Sequence, residues 1–147
     1  MWGHLKPCNS SCNTPILGVQ KLSGAWTLVQ DLCLINKATV AIHPVVPNPY
    51  ILLTQIPEGT KLFTILDIKD GFFCIPLHPH SQYLFAFEDP SGQTTQLTWM
   101  VLPQGFRDSP HLFGQALSKD LSEFSHPQVR VLQYVDDILL CAPTEET

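Results

Sequence analysis

The run Val131–Leu140 (VLQYVDDILL) carries two adjacent aspartates, Asp136 and Asp137, inside an otherwise apolar stretch. Two apolar segments on either side of a short polar pair are typical of two strands joined by a tight turn. Acids in a buried strand pair are costly unless something compensates their charge. Asp is common in hairpin turns, so an ordinary turn is the favoured interpretation of this segment alone. The alternative is a turn that presents both carboxylates to a cation such as Mg²⁺, which prefers oxygen ligands.

A third acid strengthens the alternative interpretation. The apolar run Leu62–Leu66 has the length of a strand and stops at Asp67. If that strand neighbours the hairpin, Asp67 meets Asp136 and Asp137, and three close carboxylates repel one another in the absence of cations. Two Mg²⁺ ions held by such a cluster can activate an attacking hydroxyl and stabilise a leaving pyrophosphate. We therefore expect the three acids to converge, whereas Asp70 is better explained as a turn or helix-start residue.

The remaining patterns predict an α+β fold, because strands and helices alternate without regular βαβ spacing. The clearest helix spans about Ser109 to Phe124, with Ser109 as its cap and Pro110 at its first position. A short helix is expected over Tyr50–Ile56, and residues 1–24 and 36–49 are expected to be irregular. The other predicted elements form a hairpin, with strands over Leu84–Phe87 and Gln96–Leu102 and a turn at Asp89–Gly92.

Composition limits the classes of function. The chain has 147 residues, of which 44% are hydrophobic and 14% charged, so it suits about one globular domain rather than a disordered segment. No apolar run reaches the roughly 18 residues of a membrane span, and no secretory signal is visible. We therefore expect an intracellular protein, with its five cysteines reduced. The net charge of −5 argues mildly against nucleic-acid binding, because phosphate-binding surfaces are usually basic.

Several short motifs together resemble a gammaretrovirus-like reverse transcriptase in their order and spacing. The resemblance covers nearly the whole chain from about Pro7 onward and is closest to a pol segment of an endogenous retrovirus. The motifs are Val29–Leu32 (VQDL), Ile35–Lys37 (INK), His43-Pro44, Val46–Tyr50 (VPNPY), Leu66–Phe73 (LDIKDGFF), Gln96–Trp99 (QLTW), Leu102–Phe106 (LPQGF), Ser109–Phe113 (SPHLF) and Tyr134–Asp137 (YVDD).

The resemblance implies a fragment of a right-hand polymerase, with fingers and part of the palm over residues 1–147 and an irregular arm over about 1–24. An antiparallel palm sheet with packed helices is expected, in a chain truncated before the thumb. The implied activity is RNA-directed DNA synthesis with two Mg²⁺ ions, with Mn²⁺ as the alternative metal. Its implied partners are an RNA or DNA template–primer and deoxynucleotides, with no membrane.

The resemblance also assigns the metal-binding, catalytic positions to Asp67, Asp136 and Asp137. An unrelated Mg²⁺ phosphohydrolase would also use clustered Asp residues, but it would not need the LPQGF turn or Phe72.

Five further residues are implied to bind the nucleotide: Lys21, Phe72, Gln104, Tyr134 and Val135. Lys21 would contact the triphosphate, and Phe72 would lie under the sugar and exclude a 2′-hydroxyl. Gln104 would lie near the nucleotide and template, while Tyr134 and Val135 would shape the floor of the turn beside the primer end. Without the resemblance, Phe72 is better explained as a core phenylalanine, while Lys21 is compatible with an ordinary exposed lysine and Gln104 with a simple turn residue.

Two departures from the family favour an alternative function. Thr27 and Cys33 stand where relatives carry arginines, and Thr27 has no charge with which to grip a triphosphate. The chain also ends at Thr147, soon after the predicted catalytic turn. The alternative is an inactive retroviral remnant that at most binds nucleic acid or protein. Self-association through an uncovered palm face is also expected.

Overall fold

The computed structural model describes residues 2–42 and 47–145, so His43-Pro44 and Val46 lie outside the described residues. The strands are β1 (Leu5–Cys8), β2 (Ile16–Gln20), β3 (Trp26–Gln30), β4 (Leu62–Asp67), β5 (Phe87–Glu88), β6 (Gln96–Trp99), β7 (Arg130–Tyr134) and β8 (Asp137–Ala142). The α-helices are α1 (Cys33–Ala38), α2 (Pro49–Leu53), α3 (Pro79–Gln82) and α4 (Ser109–Ser122). Short 3₁₀ turns cover Trp2–His4, Gly71–Cys74 and Tyr83–Phe85. Among the described helices, none has the length and apolarity needed to cross a bilayer.

The chain divides into two compact units that interleave in sequence. Unit 1 comprises Met1–Ile42 and Phe72–Ser109, and unit 2 comprises His43–Gly71 and Pro110–Thr147. Every strand pair within the described residues is antiparallel. The mixture of antiparallel sheets and helices confirms the predicted α+β class.

Unit 1 contains a three-stranded sheet in the order β1-β6-β5 and a separate hairpin, β2–β3. Its apolar core consists of Leu32, Ile35, Phe85, Phe87, Leu97 and Trp99. Leu32 and Ile35 come from the start of α1 and the others from β5, β6 and the preceding 3₁₀ turn. Residues far apart in sequence therefore build this core, as expected for a unit made from two chain segments.

A buried glutamine, Gln30, joins three segments of unit 1. Its Nε2 donates to Thr14 Oγ1 at 2.5 Å and to the Phe85 carbonyl at 2.9 Å. Its Oε1 accepts from Trp99 Nε1 at 2.7 Å. An amide fits this position because it donates and accepts without carrying a charge into the core. The side chain thus satisfies polar groups that would be expensive to leave unpaired.

Unit 2 contains the second three-stranded sheet, in the order β4-β8-β7. The apolar run after the two aspartates forms β8, and its register with β7 pairs Leu132 with Leu139 and Tyr134 with Asp137. The predicted strand ending at Asp67 is β4, and it pairs with β8 over its whole length. Leu132, Ile138 and Cys141 are buried. The three strands predicted around the acids are therefore confirmed as neighbours in one sheet.

Helix α4 matches the predicted helix in place but not in its capping. It begins at Ser109, so Ser109 is its first residue and Pro110 its second. The Ser109 hydroxyl donates to the Pro103 carbonyl at 3.0 Å instead of capping the helix. Ser109 is completely buried, and this hydrogen bond ties the helix start to the preceding Pro-Gln-Gly turn.

Two other predictions were wrong. Residues 1–24 are not irregular, because they contain β1 and β2, which pair with β6 and β3. Pro7 is tolerated in β1 because that strand lies at a sheet edge. The predicted strand over Leu84–Phe87 is mostly the 3₁₀ turn Tyr83–Phe85, and only Phe87 belongs to β5. Tertiary burial of Phe85 and Phe87 explains the apolar run without requiring an extended backbone.

The predicted turn after β5 is held by one carboxylate. Asp89 accepts hydrogen bonds from the backbone and hydroxyl groups of both Ser91 and Thr94, at 2.7–2.9 Å. These bonds, with those from Ser91 the strongest, lower the pKa of Asp89 to about 2. The carboxylate therefore has to remain ionised for the turn to keep its hydrogen bonds.

We expect Gln30→Leu to destabilise the protein by about 1–3 kcal/mol, because it leaves the buried Trp99 indole N–H without its acceptor and removes the amide donor to Thr14 Oγ1 and to the Phe85 carbonyl. Chemical denaturation followed by tryptophan fluorescence measures the loss. Gln20→Leu is the matched control, since the side chain of exposed Gln20 donates to the exposed Gly24 carbonyl rather than to a buried group. That variant should stay within about 0.5 kcal/mol of the parent protein. Equal effects of the two substitutions would contradict the role of Gln30.

We expect the contribution of Asp89 to stability to be complete above its usual pKa of 3.8 and to disappear as the pH falls through about 2. The sign follows because the folded pKa is the lower one, so the unfolded state binds the proton more readily. Stability measurements by circular dichroism on the protein and on Asp89→Asn, made at a series of acidic pH values, give the contribution of Asp89 at each pH. The difference in stability between the two should shrink over that window, and a constant difference would refute the expectation.

Candidate active site

The register of β4 against β8 places Asp67 directly opposite Asp137. Side chains of directly opposed residues in an antiparallel pair lie on the same face, with Cβ atoms roughly 4.5–5.5 Å apart. Asp136 immediately precedes Asp137 in the turn between β7 and β8. The backbone therefore brings all three predicted acids to one end of the sheet of unit 2.

The turn that carries Asp136 has a strained backbone. Tyr134 pairs with Asp137, which leaves Val135 and Asp136 as a two-residue turn. Val135 has a φ of 56°, a value usual for glycine at the first central position of a type II′ turn. For a β-branched residue this conformation is an outlier that costs about 1–3 kcal/mol. In the described part of the chain, Asp70 is the other non-glycine residue with a positive φ, also 56°, and it lies three positions after Asp67.

One side chain that the sequence analysis missed holds this turn. Gln133 Nε2 donates to the Val135 carbonyl and to the Gly114 carbonyl of α4, both at 2.9 Å. Gly114 lies close to the turn, since a Cβ added to it would be 3.8 Å from the Val135 carbonyl oxygen. Glutamine within an alternating strand carries no distinctive sequence signal, so only the fold reveals this contact.

The three acids have no cationic partner among the described residues. The single ion pair found there joins Arg107 and Asp108, at 3.5 Å. Asp136 is half-buried, and Asp67 and Asp137 are exposed. Their donor type suits Mg²⁺, which takes carboxylate oxygens and retains several waters. The side chains are not gathered at coordination distance, since no three His, Cys, Asp or Glu residues in the described ranges are arranged to hold a metal ion.

The other nucleotide-binding candidates divide between the two units. Tyr134 and Val135 belong to unit 2 with the acids, whereas Lys21, Phe72 and Gln104 belong to unit 1. Lys21 is exposed in the turn of the β2–β3 hairpin, where its N–H donates to the Ala25 carbonyl at 2.8 Å. Phe72 is half-buried in the 3₁₀ turn after β4, and Gln104 is exposed in a turn.

Asn36 fixes the turn that bears Gln104, which the sequence analysis also did not anticipate. Its Nδ2 donates to the Gly105 carbonyl at 2.9 Å, and its Oδ1 accepts from the Arg107 N–H at 2.8 Å. Gly105 has a φ of 89°, a conformation that favours glycine. Asn36 of the INK motif therefore stabilises the turn formed by the LPQGF motif.

The two departures from the family leave uncharged side chains in unit 1. Thr27 is half-buried in β3, opposite Val19 of β2. Cys33 is exposed at the start of α1, and its hydrogen bond with Asp31 is the main cause that raises the pKa of its thiol. Neither side chain can supply the positive charge of an arginine.

Comparison with known proteins matches residues 12–147 to the family described as reverse transcriptase (RNA-dependent DNA polymerase). The chain is 55% identical to the Pol polyprotein of feline endogenous virus ECE1, over 98% of this chain and 14% of that relative. It is also 55% identical to the Gag-Pol polyproteins of baboon endogenous virus (strain M7) and gibbon ape leukemia virus, over 98% of this chain and 9% of each relative.

Comparison with solved structures also identifies reverse transcriptases. The prototype foamy virus protease–reverse transcriptase (CSH mutant) is 37% identical with a TM-score of 0.73, over 95% of this chain and 18% of that one. A foamy viral protease–reverse transcriptase in complex with double-stranded DNA is 30% identical with a TM-score of 0.78, over 99% of this chain and 24% of that one. The predicted polymerase fold is thereby confirmed. The chain belongs to the reverse transcriptase (RNA-dependent DNA polymerase) family, as a segment related to gammaretroviral Pol.

Proposed function

We propose that this segment carries the metal-binding centre of an enzyme that copies RNA into DNA. The observation that supports it most strongly is the register that sets Asp67 opposite Asp137, with Asp136 next to them in a strained turn. The chain spans only 9–14% of the length of its curated viral relatives, so the complete activity would also draw on other parts of such a polyprotein.

The proposed reaction joins the primer 3′-oxygen to the α-phosphorus of a deoxynucleotide and breaks the bond to pyrophosphate. Asp67, Asp136 and Asp137 would hold two Mg²⁺ or Mn²⁺ ions, which supply Lewis-acid activation of the hydroxyl and stabilise the leaving group when bound. The Gln133 hydrogen bonds would keep the acidic turn in one conformation throughout. Tyr134 and Val135 would shape the surface beside the primer end.

The residues of unit 1 would bind the incoming nucleotide. Lys21 would contact its triphosphate, which a cation in an exposed hairpin turn can reach. Phe72 would lie under the sugar and disfavour a 2′-hydroxyl. Gln104 would approach the nucleotide and template from the turn that Asn36 holds.

A second candidate function is a catalytically inactive remnant that only binds nucleic acid or protein. The uncharged Thr27 and Cys33 favour it, because the removal of one preorganised donor to an oxyanion typically costs about 2.7–4 kcal/mol of barrier, and a lost arginine contact to the triphosphate is a loss of the same kind. Under this alternative, the acids at the end of β4 and β8 would survive without a metal function.

Nucleic acid is the partner class that the relatives support. Related foamy viral enzymes are known in complex with double-stranded DNA and with an RNA/DNA hybrid. We extend this to a template–primer and deoxynucleotides for the present chain. We also propose self-association, because large apolar side chains of β4, among them Phe63 and Ile65, are exposed.

We expect the protein to bind Mn²⁺, used as a stand-in for Mg²⁺ that is visible by electron paramagnetic resonance. Asp136→Asn should weaken binding by at least about tenfold, the loss usual when a metal site loses even a supporting group. Asp120→Asn is the matched control, because Asp120 is an exposed acid on α4 in the same unit. Its affinity should match the parent protein. Equal affinity of the parent protein and Asp136→Asn would refute the metal centre.

The melting temperature tests the placement of Asp67 opposite Asp137 without requiring bound metal. Like charges directly opposite one another destabilise a strand pair, so Asp67→Asn should raise the melting temperature in the presence of a chelator. Added Mn²⁺ should stabilise the parent protein more than this variant, by binding linkage.

We expect Thr27→Arg to restore nucleotide incorporation more than Cys33→Arg does, because position 27 is the one implied to contact the triphosphate. The measurement places this segment, with each substitution, in the reverse transcriptase of its gibbon ape leukemia virus relative and follows primer extension on an RNA template. Asp136→Asn in the same chimaera should abolish extension. Equal rescue by both arginines would show that the contact is wrongly assigned, and extension with Asp136→Asn would exclude the catalytic role.

A further inference from the structure

The residue that follows Phe72 takes part in a series of aromatic contacts within unit 1. The Phe73 ring stacks with the Trp99 ring, at a centroid separation of 5.4 Å and an interplanar angle of 10°. It also stacks with the His4 ring, at 5.1 Å and 27°. Aromatic rings at such separations attract one another beyond what their buried area provides. Phe73 is therefore held by two rings that come from other segments of the chain.

Both partners of Phe73 are themselves fixed. Trp99 is 7% exposed, and its indole N–H donates to Gln30 Oε1 at 2.7 Å in the core. The carbonyl of His4 accepts from the Met100 N–H at 2.8 Å, at the point where β1 begins to pair with β6. The core and the sheet of unit 1 thus determine where the Phe73 ring lies.

The backbone transmits this placement to Phe72. Phe72 and Phe73 are consecutive residues of one 3₁₀ turn, in which the Ile75 N–H donates to the Phe72 carbonyl at 3.1 Å. A 3₁₀ helix has three residues per turn, so successive side chains point about 120° apart. With the Phe73 ring held in the stack, the half-buried Phe72 ring is directed to a different side of the turn.

We propose that Phe73, held by His4 and Trp99, is a positioning residue that sets the place of the Phe72 ring and so determines how strongly ribonucleotides are rejected. This role rests on the proposed polymerase function and on Phe72 lying under the sugar. Steric exclusion acts over short distances, because a 2′-hydroxyl adds a single oxygen to the sugar. Misplacement of a group by about 1 Å can change a rate by about 10²-fold.

The test compares incorporation of dATP and of ATP opposite uridine of an RNA template. It uses the chimaera that places this segment in the reverse transcriptase of gibbon ape leukemia virus. His4→Ala should lower the ratio of the two kcat/KM values by about tenfold or more, because Phe73 loses one of its stacking partners. His4→Phe keeps a ring at this position and should keep the ratio close to that of the parent. A purely structural role would slow both nucleotides alike and leave the ratio unchanged.

A double substitution shows whether the stack acts through Phe72. Phe72→Ala should itself lower the ratio, and adding His4→Ala to it should cause no further change, since coupled residues are not additive. His80→Ala is the matched control, because His80 is an exposed histidine of unit 1 whose ring lies against His78 rather than Phe73. Its ratio should equal that of the parent. Circular dichroism melts establish that every variant is folded.

Three results would overturn the role of the stack: an unchanged ratio in His4→Ala, an equal loss in His80→Ala, or a further loss when His4→Ala is added to Phe72→Ala. In each of them the chimaera still incorporates dATP, so the proposed function stands. A parent chimaera that incorporates neither nucleotide would instead overturn the proposed function, and the positioning role would fall with it.

Discussion

The antiparallel register of β4, β8 and β7 is the constraint on which the candidate site depends. Side chains alternate between the two faces of a strand, so a slip of one residue would move every side chain to the opposite face. Such a slip would separate Asp67 from Asp137, and it would move Ile138 and Cys141, which are buried on opposite faces of β8, away from their present surroundings. Burial of apolar residues thus fixes the position of two acids that contribute nothing favourable to one another. The apolar residues determine the register of the three strands. The acids lie at the strand ends, where that register brings them together.

Backbone strain is concentrated at the same end of the sheet. Both non-glycine residues of the described chain with positive φ, Asp70 and Val135, lie within three positions of a candidate acid. A β-branched residue in this conformation persists only when its surroundings enforce it. Gln133 provides that enforcement for Val135, through one hydrogen bond to the turn and another to α4. The turn therefore has a defined shape before any ligand binds, as expected of a preorganised site.

Local patterns in the sequence were sufficient to predict the strands that carry the acids and the helix α4. The apolar runs of β4, β7 and β8 and the helical spacing of α4 are signals within a single segment. The first 24 residues were misjudged because β1 and β2 are stabilised by partners elsewhere, and β6 lies about 90 positions from β1 in sequence. Nor could the sequence reveal Gln30, Asn36 or Gln133 as structural residues, because their significance comes from what they meet in the fold. The order and spacing of the family motifs indicated the chemistry, since two acids in an apolar hairpin were more simply explained as an ordinary turn.

Neutral amides, rather than ion pairs, fix the internal geometry of both units. Gln30 joins three segments of unit 1, and Gln133 links β7, its turn and α4 in unit 2. The chain has 13 acidic and 8 basic residues, yet a single ion pair occurs among the described ones. A fold stabilised by apolar burial and amide hydrogen bonds does not need its charges to be paired, so like charges can stand side by side at an accessible edge. Asp67 and Asp137 are in that position, and their mutual repulsion is relieved by whatever cation approaches the end of the sheet. The same uncompensated charge makes this end of the sheet receptive to a divalent ion.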